Sequence, residues 1–450
     1  MKTKYVIIGA GPTGLGAARR LSELGENSFI VLEKNSWAGG LASSFTDEKG
    51  FTWDIGGHVA FSHYKYYDDL LDELLQDEYI EHLRESWVRT LNTWVPYPFQ
   101  NNIRYLPNQE KWECVRGLLP GERPETTPHN FEEWINSVFG KGIAKYFMHP
   151  YNYKVWATYP KDMAFSWIGE RVSVIDLRSV LKNILLERDQ LSWGPNNKFR
   201  FPLKGGTGTI YRKLADTVSR FIKYNTQVIA INQQDKNVAD SEGNIYNYEY
   251  LLNTAPLDIL TNKWLSQPSS QLTNAASKLK HNGVVVAGVG LSTSKPDSRC
   301  WMYFPESDSP FYRVTNFHNY SPNNTPIPGQ GRALMCEVSY SKDKLINTDN
   351  ILHEVEDGLV KTTMLKNSDR ENIISRWSIN VDYGYPIPCL QRDEALKILQ
   401  PALESMNIYS RGRFGGWKYE VSNMDHSVMQ GVEWAERMIS AKPETTYRIS

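Results

Sequence analysis

The chain has 450 residues, a hydrophobic fraction of 40% and a net charge of −1, ordinary values for a globular protein long enough to hold more than one domain. With 50 Lys and Arg against 51 Asp and Glu, no basic excess exists to grip a phosphate backbone, so nucleic acid is not an expected partner. No apolar run approaches the roughly 18 residues that span a bilayer, and no membrane partner is expected.

The cysteines, Cys114, Cys300, Cys336 and Cys389, lie far apart without CxxC spacing. They imply neither a disulfide framework nor a metal site, and a reducing cytoplasm is the expected location. Aromatic residues are plentiful, with 14 Trp and 25 Tyr. Each joins a flat apolar face to a polar tip, which suits stacking on a base or sugar and bonding its hydroxyls.

In chain order, Lys4–Ile8 reads as a buried parallel strand and Thr13–Leu24 as the helix that follows. Between them Gly9 makes a tight turn, Gly11 lets the backbone approach a pyrophosphate and Gly14 allows close strand–helix contact. A second strand, Ser28–Leu32, ends in Glu33, at the spacing of a carboxylate that bonds ribose hydroxyls. Together these predict a Rossmann-like dinucleotide site, with the phosphates at the helix N-terminus. The following Trp37-Ala-Gly39-Gly40-Leu41 resembles the second glycine signature of amine-oxidase-like flavoproteins, which points to FAD rather than NAD.

Further on, Lys204–Gly208 precedes a helix predicted over Thr209–Phe221. A strand predicted over Lys223–Ile231 carries Val228, and Ser241–Asn244 reads as a hairpin turn. Tyr250–Thr254 reads as another buried strand, and Ile408–Gly415 opens a last strand–loop–helix unit with Gly412 in its loop. The cofactor domain is therefore expected to be discontinuous, over residues 1–65, 200–260 and 405–450. Residues 66–199 show helical spacing over Tyr67–Leu75, Asn130–Phe139, Ile143–Met148 and Leu177–Glu187. Residues 261–404 favour β-branched and aromatic runs with turn punctuation. The fold expected is α/β: a discontinuous Rossmann-like FAD-binding domain, an inserted helical domain and an antiparallel β-sheet domain. Substrate would enter the crevice between them.

Several rarer stretches carry a closer resemblance. They are Gly56-Gly57-His58-Val-Ala-Phe61-Ser-His63-Tyr64, Pro96-Tyr97-Pro-Phe99-Gln100-Asn-Asn102, Pro150-Tyr-Asn152-Tyr-Lys-Val-Trp156 and Gly194-Pro-Asn196. Ser309-Pro-Phe-Tyr-Arg313, Tyr409–Phe414, Tyr419 and Asn423-Met424-Asp-His-Ser427 complete the set. Over nearly its whole length the chain resembles the UDP-galactopyranose mutases, the eukaryotic type more than the bacterial one. The resemblance implies an isomerase that interconverts UDP-galactopyranose and UDP-galactofuranose through a covalent adduct at N5 of reduced FAD. It also implies NADPH or NADH as the external reductant and a UDP-galactose-type nucleotide sugar as partner.

On this resemblance His58 packs against the flavin, in a turn whose glycines let a carbonyl swing near the ring. Gly57, Val228, Gly412, Asn423, Met424 and Ser427 join Gly9, Gly11, Gly14, Glu33, Gly39, Gly40 and Leu41 around the cofactor. Arg171 and Arg313 are candidates for clamping the diphosphate, since guanidinium forks onto phosphate oxygens and keeps its charge. Tyr303, Tyr320, Tyr385 and Tyr419 match tyrosines that bond phosphate oxygens. Tyr97, Phe99 and Gln100 are expected to hold the uracil, and Phe147, Met148 and Asn152 to line the nucleotide slot. Trp156 and Asn196 would approach the sugar, Arg413 the flavin or sugar, and Phe61 and His63 the His58 loop. Segments 173–176 and 192–198 are expected flaps. At Met424 the chain departs from fungal relatives, which carry Gln there, and its compactness argues against carrying over a tetramer. Alternatives on the same residues are a mutase for another nucleotide sugar, a flavin oxidase of the amine or protoporphyrinogen type, and a flavin scaffold without catalysis.

Overall fold

The structure, a computed structural model, describes residues 3–169, 172, 174–191 and 197–449. Two sheets organise it. In the first, Tyr5–Ile8 is entirely buried and lies between Phe29–Leu32 and Tyr250–Asn253, with Ile408–Ser410 and Ile222–Lys223 at the edges, all parallel. Successive strand residues point to opposite faces. Tyr5, Ile7, Phe29 and Val31 thus meet the helix Pro12–Glu23, while Val6, Ile8, Ile30 and Leu32 join the opposite cluster with Leu396, Leu399 and Leu403. Burial on both faces explains why these strands read as continuous apolar runs.

The helix Pro12–Glu23 crosses the last helix, Met424–Ser440, at unusually close range. A Cβ on Gly431 would lie 2.0 Å from the Thr13 carbonyl oxygen, and one on Gly16 would lie 2.5 Å from that of Val428. The two glycines let backbone meet backbone there.

The second sheet has seven strands in the order Ile373–Ile387, Lys280–Leu291, Arg332–Tyr340, Arg313–Asn316, Trp301–Tyr303, Ser86–Thr90 and Thr93–Pro96. Two expectations need correction here. The sheet is mixed, since Trp301–Tyr303 pairs parallel with Ser86–Thr90. It also reaches outside residues 261–404, because the segment expected to be helical supplies two of its strands; Tyr79–Leu83 and Lys198–Pro202 pair separately. Local periodicity does not reveal pairing across some two hundred residues. The strand expected over Lys223–Ile231 is likewise two pieces, Ile222–Lys223 in the parallel sheet and Val228–Asn232 in a three-stranded sheet. Helices Asn108–Arg116, Ile351–Lys361 and Arg392–Ser405 were not among the expected elements.

Alternation again decides what each face does. Met302, Val314, Cys336, Val285, Ala287 and Val289 pack with Ile351, Val355 and Leu359 of the covering helix. The opposite face carries Trp301, Tyr303, Met335, Val284 and Val286. On it Gly288 and Gly290 leave slots for the rings of Trp53 and Phe51, which a Cβ would meet at 2.6 and 2.7 Å.

Changing Gly431→Ala is expected to cost about 1–3 kcal/mol through overpacking and to loosen the Pro12 end of the helix. Thermal unfolding of the variant checks this; an unchanged melting temperature would contradict the close crossing.

Candidate active site

The site begins at three glycine turns that meet at the N-terminus of the Pro12–Glu23 helix. Gly11 caps this helix without a side-chain partner, leaving backbone N–H groups of the first turn directed outward. Space in front of Gly11 is open, with only the Gly40 Cα, at 3.9 Å, near the position of an added Cβ. Gly39 and Gly40 both have positive φ, at 110° and 53°, and carry the second turn beside the first. Gly412, at φ 86°, brings the third turn so close that a Cβ would lie 2.5 Å from Thr13 Oγ1. Gly14 packs as expected, since a Cβ there would lie 1.9 Å from the Gly9 carbonyl oxygen. Glu33 is buried and accepts hydrogen bonds from the backbone N–H of Ala10 at 2.8 Å and of Asn35 at 2.9 Å. It thereby fixes the strand end on which the first turn rests. A cradle of backbone donors and small residues fits a dinucleotide diphosphate.

Leu41 lies in the Gly40–Ala42 turn, and Val228 starts a strand and is buried in the cluster with Ile8 and Leu32. Asn423 and Met424 open the last helix, with Ser427 one turn on, its N–H donating to the Asn423 carbonyl at 2.8 Å. Met424 is partly buried against the cluster around Leu15 and Val428.

The second component is a row across the seven-stranded sheet. Pairing aligns Val88, Tyr303, Arg313, Glu337, Val286 and Ile379 on neighbouring strands, so their side chains share one face. Arg313 donates from Nε to Glu337 Oε1 at 2.6 Å and from Nη2 to Oε2 at 2.7 Å. The Glu337 side chain is 2% exposed and that of Arg313 20%. Burial opposes both charges, yet Glu337 holds the guanidinium pKa well above its usual value. Arg313, Tyr312 and the Gly57 N–H in turn hold the Glu337 carboxyl below its usual range, against its own burial. Tyr312 Oη donates to Glu337 Oε2 at 2.6 Å, and the Gly57 N–H donates to Oε1 at 3.0 Å. Gly57 opens onto His58, whose Nδ1 is enclosed and has no hydrogen-bond partner among the described residues.

The third component is aromatic. Phe99 stacks on Phe147 at 4.9 Å and Phe147 on Tyr151 at 5.0 Å; Tyr303 meets both Tyr151 and Tyr97 at 5.1 Å. Trp156 meets Tyr419 at 4.8 Å and Tyr385 at 5.8 Å, and the Arg413 guanidinium lies 4.7 Å over the Tyr385 ring. Arg413 also donates to the Gly384 and Ser422 carbonyls, both at 3.2 Å. Gln100 and Met148 are buried on the same side, and Asn152 Nδ2 donates to the Met148 carbonyl at 2.7 Å. Tyr320 is buried against Phe199, Phe201 and Phe317. Burial raises the phenol pKa values of Tyr320 and Tyr385, so both remain donors at neutral pH.

The fold thus brings together His58, Arg313, Arg413, Trp156, Tyr303, Tyr385 and Tyr419, and stacks Phe99 with Phe147. Phe61 meets the His63 ring edge-on at 5.8 Å; His63 Nδ1 lies 2.9 Å from Asp425 Oδ2 in the last helix, and His426 Nδ1 lies 3.0 Å from Oδ1. Sequence spacing had suggested no metal-ligand set, whereas here three ligand atoms gather within 4.8 Å. Both imidazoles are taken up by one carboxylate. Arg171, Asn196, Ser173 and most of the second expected flap lie outside the described residues.

Sequence reasoning missed Glu337, and its only signal was a lone acid inside the apolar run Arg332–Tyr340. It also gave no role to Lys154. This buried amine, with its pKa lowered to about 7 by burial, donates to the Glu306 and Ser309 carbonyls at 2.7 and 2.9 Å. It pins the loop leading into the Arg313 strand.

Comparison with known proteins places the fold. The family described as flavin containing amine oxidoreductase matches residues 12–439. Amine oxidase [flavin-containing] A of Sus scrofa is 22% identical over 334 residues, 69% of this chain and 58% of its own length. Amine oxidase [flavin-containing] B of Homo sapiens is 23% identical over 338 residues, 70% and 59% respectively. The chain therefore spans less than two thirds of these relatives. A solved putrescine oxidase shares the fold at a TM-score of 0.67 and 16% identity, covering 98% of this chain and 99% of that one. A solved reduced UDP-galactopyranose mutase aligns at a TM-score of 0.95 and 43% identity, covering 99% of this chain and 96% of that one. The chain belongs to the flavin-containing amine oxidoreductase family and, within it, to the UDP-galactopyranose mutases.

Proposed function

We infer that this protein is a flavin-dependent isomerase that interconverts UDP-galactopyranose and UDP-galactofuranose. The observation that carries this reading is a half-buried guanidinium, ringed by tyrosines, on the sheet face that abuts the Gly57–His58 turn. A flavin oxidase acting on an amine has no need of that ring. The cradle of Gly9, Gly11, Gly14, Gly39, Gly40 and Gly412 would hold FAD, with Glu33 toward its ribose and Asn423, Met424 and Ser427 beside it. When bound and reduced, FAD supplies a nucleophilic ring nitrogen, so no side-chain nucleophile is required.

What remains for the side chains is orientation, charge neutralisation and exclusion of water. Arg313 commits Nε and Nη2 to Glu337 and would present its outer edge to the diphosphate, stabilising charge as the nucleotide departs. Tyr303, Tyr320, Tyr385 and Tyr419 would donate to phosphate oxygens. Tyr97, Phe99 and Gln100 would hold the uracil, with Phe147, Met148 and Asn152 lining the slot. Trp156 and Arg413 would close over the sugar. On the resemblance, Arg171 would clamp the diphosphate from the other side and Asn196 would meet the hexose. NADPH or NADH is the proposed reductant. Four buried, unpaired cysteines suit a reducing cytoplasm.

His58 would face the flavin as a neutral imidazole. Burial, and then the positive charge of Arg413, lower its pKa from 6.5 to about 4. The unfolded chain binds this proton more readily. The stability gained from neutral His58 is therefore present above pH 6.5 and lost as pH falls toward 4.

Two outcomes are expected. The purified protein should be yellow, inert toward UDP-galactose when oxidised, and should yield the furanose isomer after dithionite reduction, followed by chromatography. Peroxide release with an amine and no isomerisation would favour the oxidase reading instead. His58→Gln should remove about 1–2 kcal/mol of the stability lost between pH 6.5 and 4. Thermal unfolding across that range reads the difference, and equal slopes in both proteins would contradict the neutral, enclosed imidazole.

A further inference from the structure

We propose that Glu337 is a positioning residue that couples the anion-binding guanidinium of Arg313 to the Gly56–His58 turn. The proposal rests on the reading that a nucleotide diphosphate binds at Arg313.

A carboxylate that merely neutralised an arginine would need only the guanidinium. Glu337 instead collects donors from two separate parts of the chain. Oε1 takes Arg313 Nε at 2.6 Å and the Gly57 N–H at 3.0 Å, while Oε2 takes Arg313 Nη2 at 2.7 Å and Tyr312 Oη at 2.6 Å. Each oxygen therefore serves the guanidinium and one neutral donor.

The glycine turn is tied to this pair sterically as well. A Cβ on Gly57 would lie 3.3 Å from Arg313 Cζ, from its Nη2 and from Glu337 Oε1. Gly56 adopts φ 93°, and the His58 N–H folds back onto the Gly56 carbonyl at 2.9 Å. The turn is thus short, tight and in contact with the ion pair through its middle residue.

An anion on the outer edge of Arg313 competes with Glu337 for the same positive charge. Inside a low-dielectric site such competition is strong. As the anion draws on the charge of the guanidinium, the carboxylate turns its acceptor strength to the Gly57 N–H and Tyr312, and the turn bearing His58 feels the change. The coupling is reciprocal: a change of state at the turn alters diphosphate affinity by the same factor.

The test uses the full flavin-loaded chain, titrated with UDP and followed both by calorimetry and by the flavin difference spectrum. Glu337→Gln keeps the shape but places an amide donor against the guanidinium or the neutral donors. UDP affinity and KM are expected to stay within about threefold, while the UDP-induced flavin difference spectrum falls about fivefold and kcat about tenfold or more. Glu337→Asp should recover part of both. Wild-type kcat and spectrum in Glu337→Gln would overturn the proposal. So would a parallel loss of UDP affinity, which would mean that Glu337 only supports Arg313. If Glu337→Gln fails to fold, Tyr312→Phe removes one neutral donor and spares the ion pair. A roughly twofold smaller difference spectrum is then expected, and an unchanged one overturns the coupling. Absence of UDP binding by the wild-type protein would instead overturn the functional reading, and this proposal with it.

Discussion

The site depends on one buried ion pair held in cross-strand register. Arg313 and Glu337 are direct neighbours on adjacent antiparallel strands, with Tyr303 next in the same row. Desolvation opposes both charges, and their mutual contact, with the donors from Tyr312 and Gly57, offsets it. Breaking such a pair leaves a lone buried charge at a cost of roughly 3–5 kcal/mol. The guanidinium is therefore held in one place before any ligand arrives. Preorganised charge of this kind needs no reorganisation when negative charge develops opposite it.

The two sheets each do one physical job. The parallel sheet and its glycine turns bring backbone donors together without side chains in the way, which suits a long diphosphate-linked cofactor. The seven-stranded sheet offers its second face, with rings and one cation, to a smaller ligand. Likeness to amine oxidases extends across the whole fold, yet the chemistry proposed differs. The proposed chemistry rests on the ligand side, on the Tyr303–Arg313–Glu337 row and the aromatic chain from Phe99 to Tyr303.

Much of the cofactor half was legible in sequence because its signals are local. Glycine spacing after Tyr5–Ile8, the acid at Glu33 and the Gly39-Gly40 pair all fall between residues 9 and 40. The ligand half was harder to read. Ser86–Thr90 becomes a sheet strand only by pairing with Trp301–Tyr303, and nothing in its own sequence announces that partner. Glu337 looked like an isolated acid in a strand until register set it opposite Arg313. Val228 and the apolar run before it split between two sheets because the chain turns at Asn225, a residue with positive φ. The tie from His63 to Asp425 of the last helix had no sequence signal either, because it is made across 362 residues.

The most direct test of the central claim is a crystal structure of the reduced protein soaked with UDP. The account predicts the diphosphate on the outer edge of Arg313, with Tyr303, Tyr385 and Tyr419 within hydrogen-bond distance and the flavin ring beside His58 in the same cavity. A diphosphate bound away from Arg313, or a flavin ring separated from it by the aromatic chain, would contradict the account.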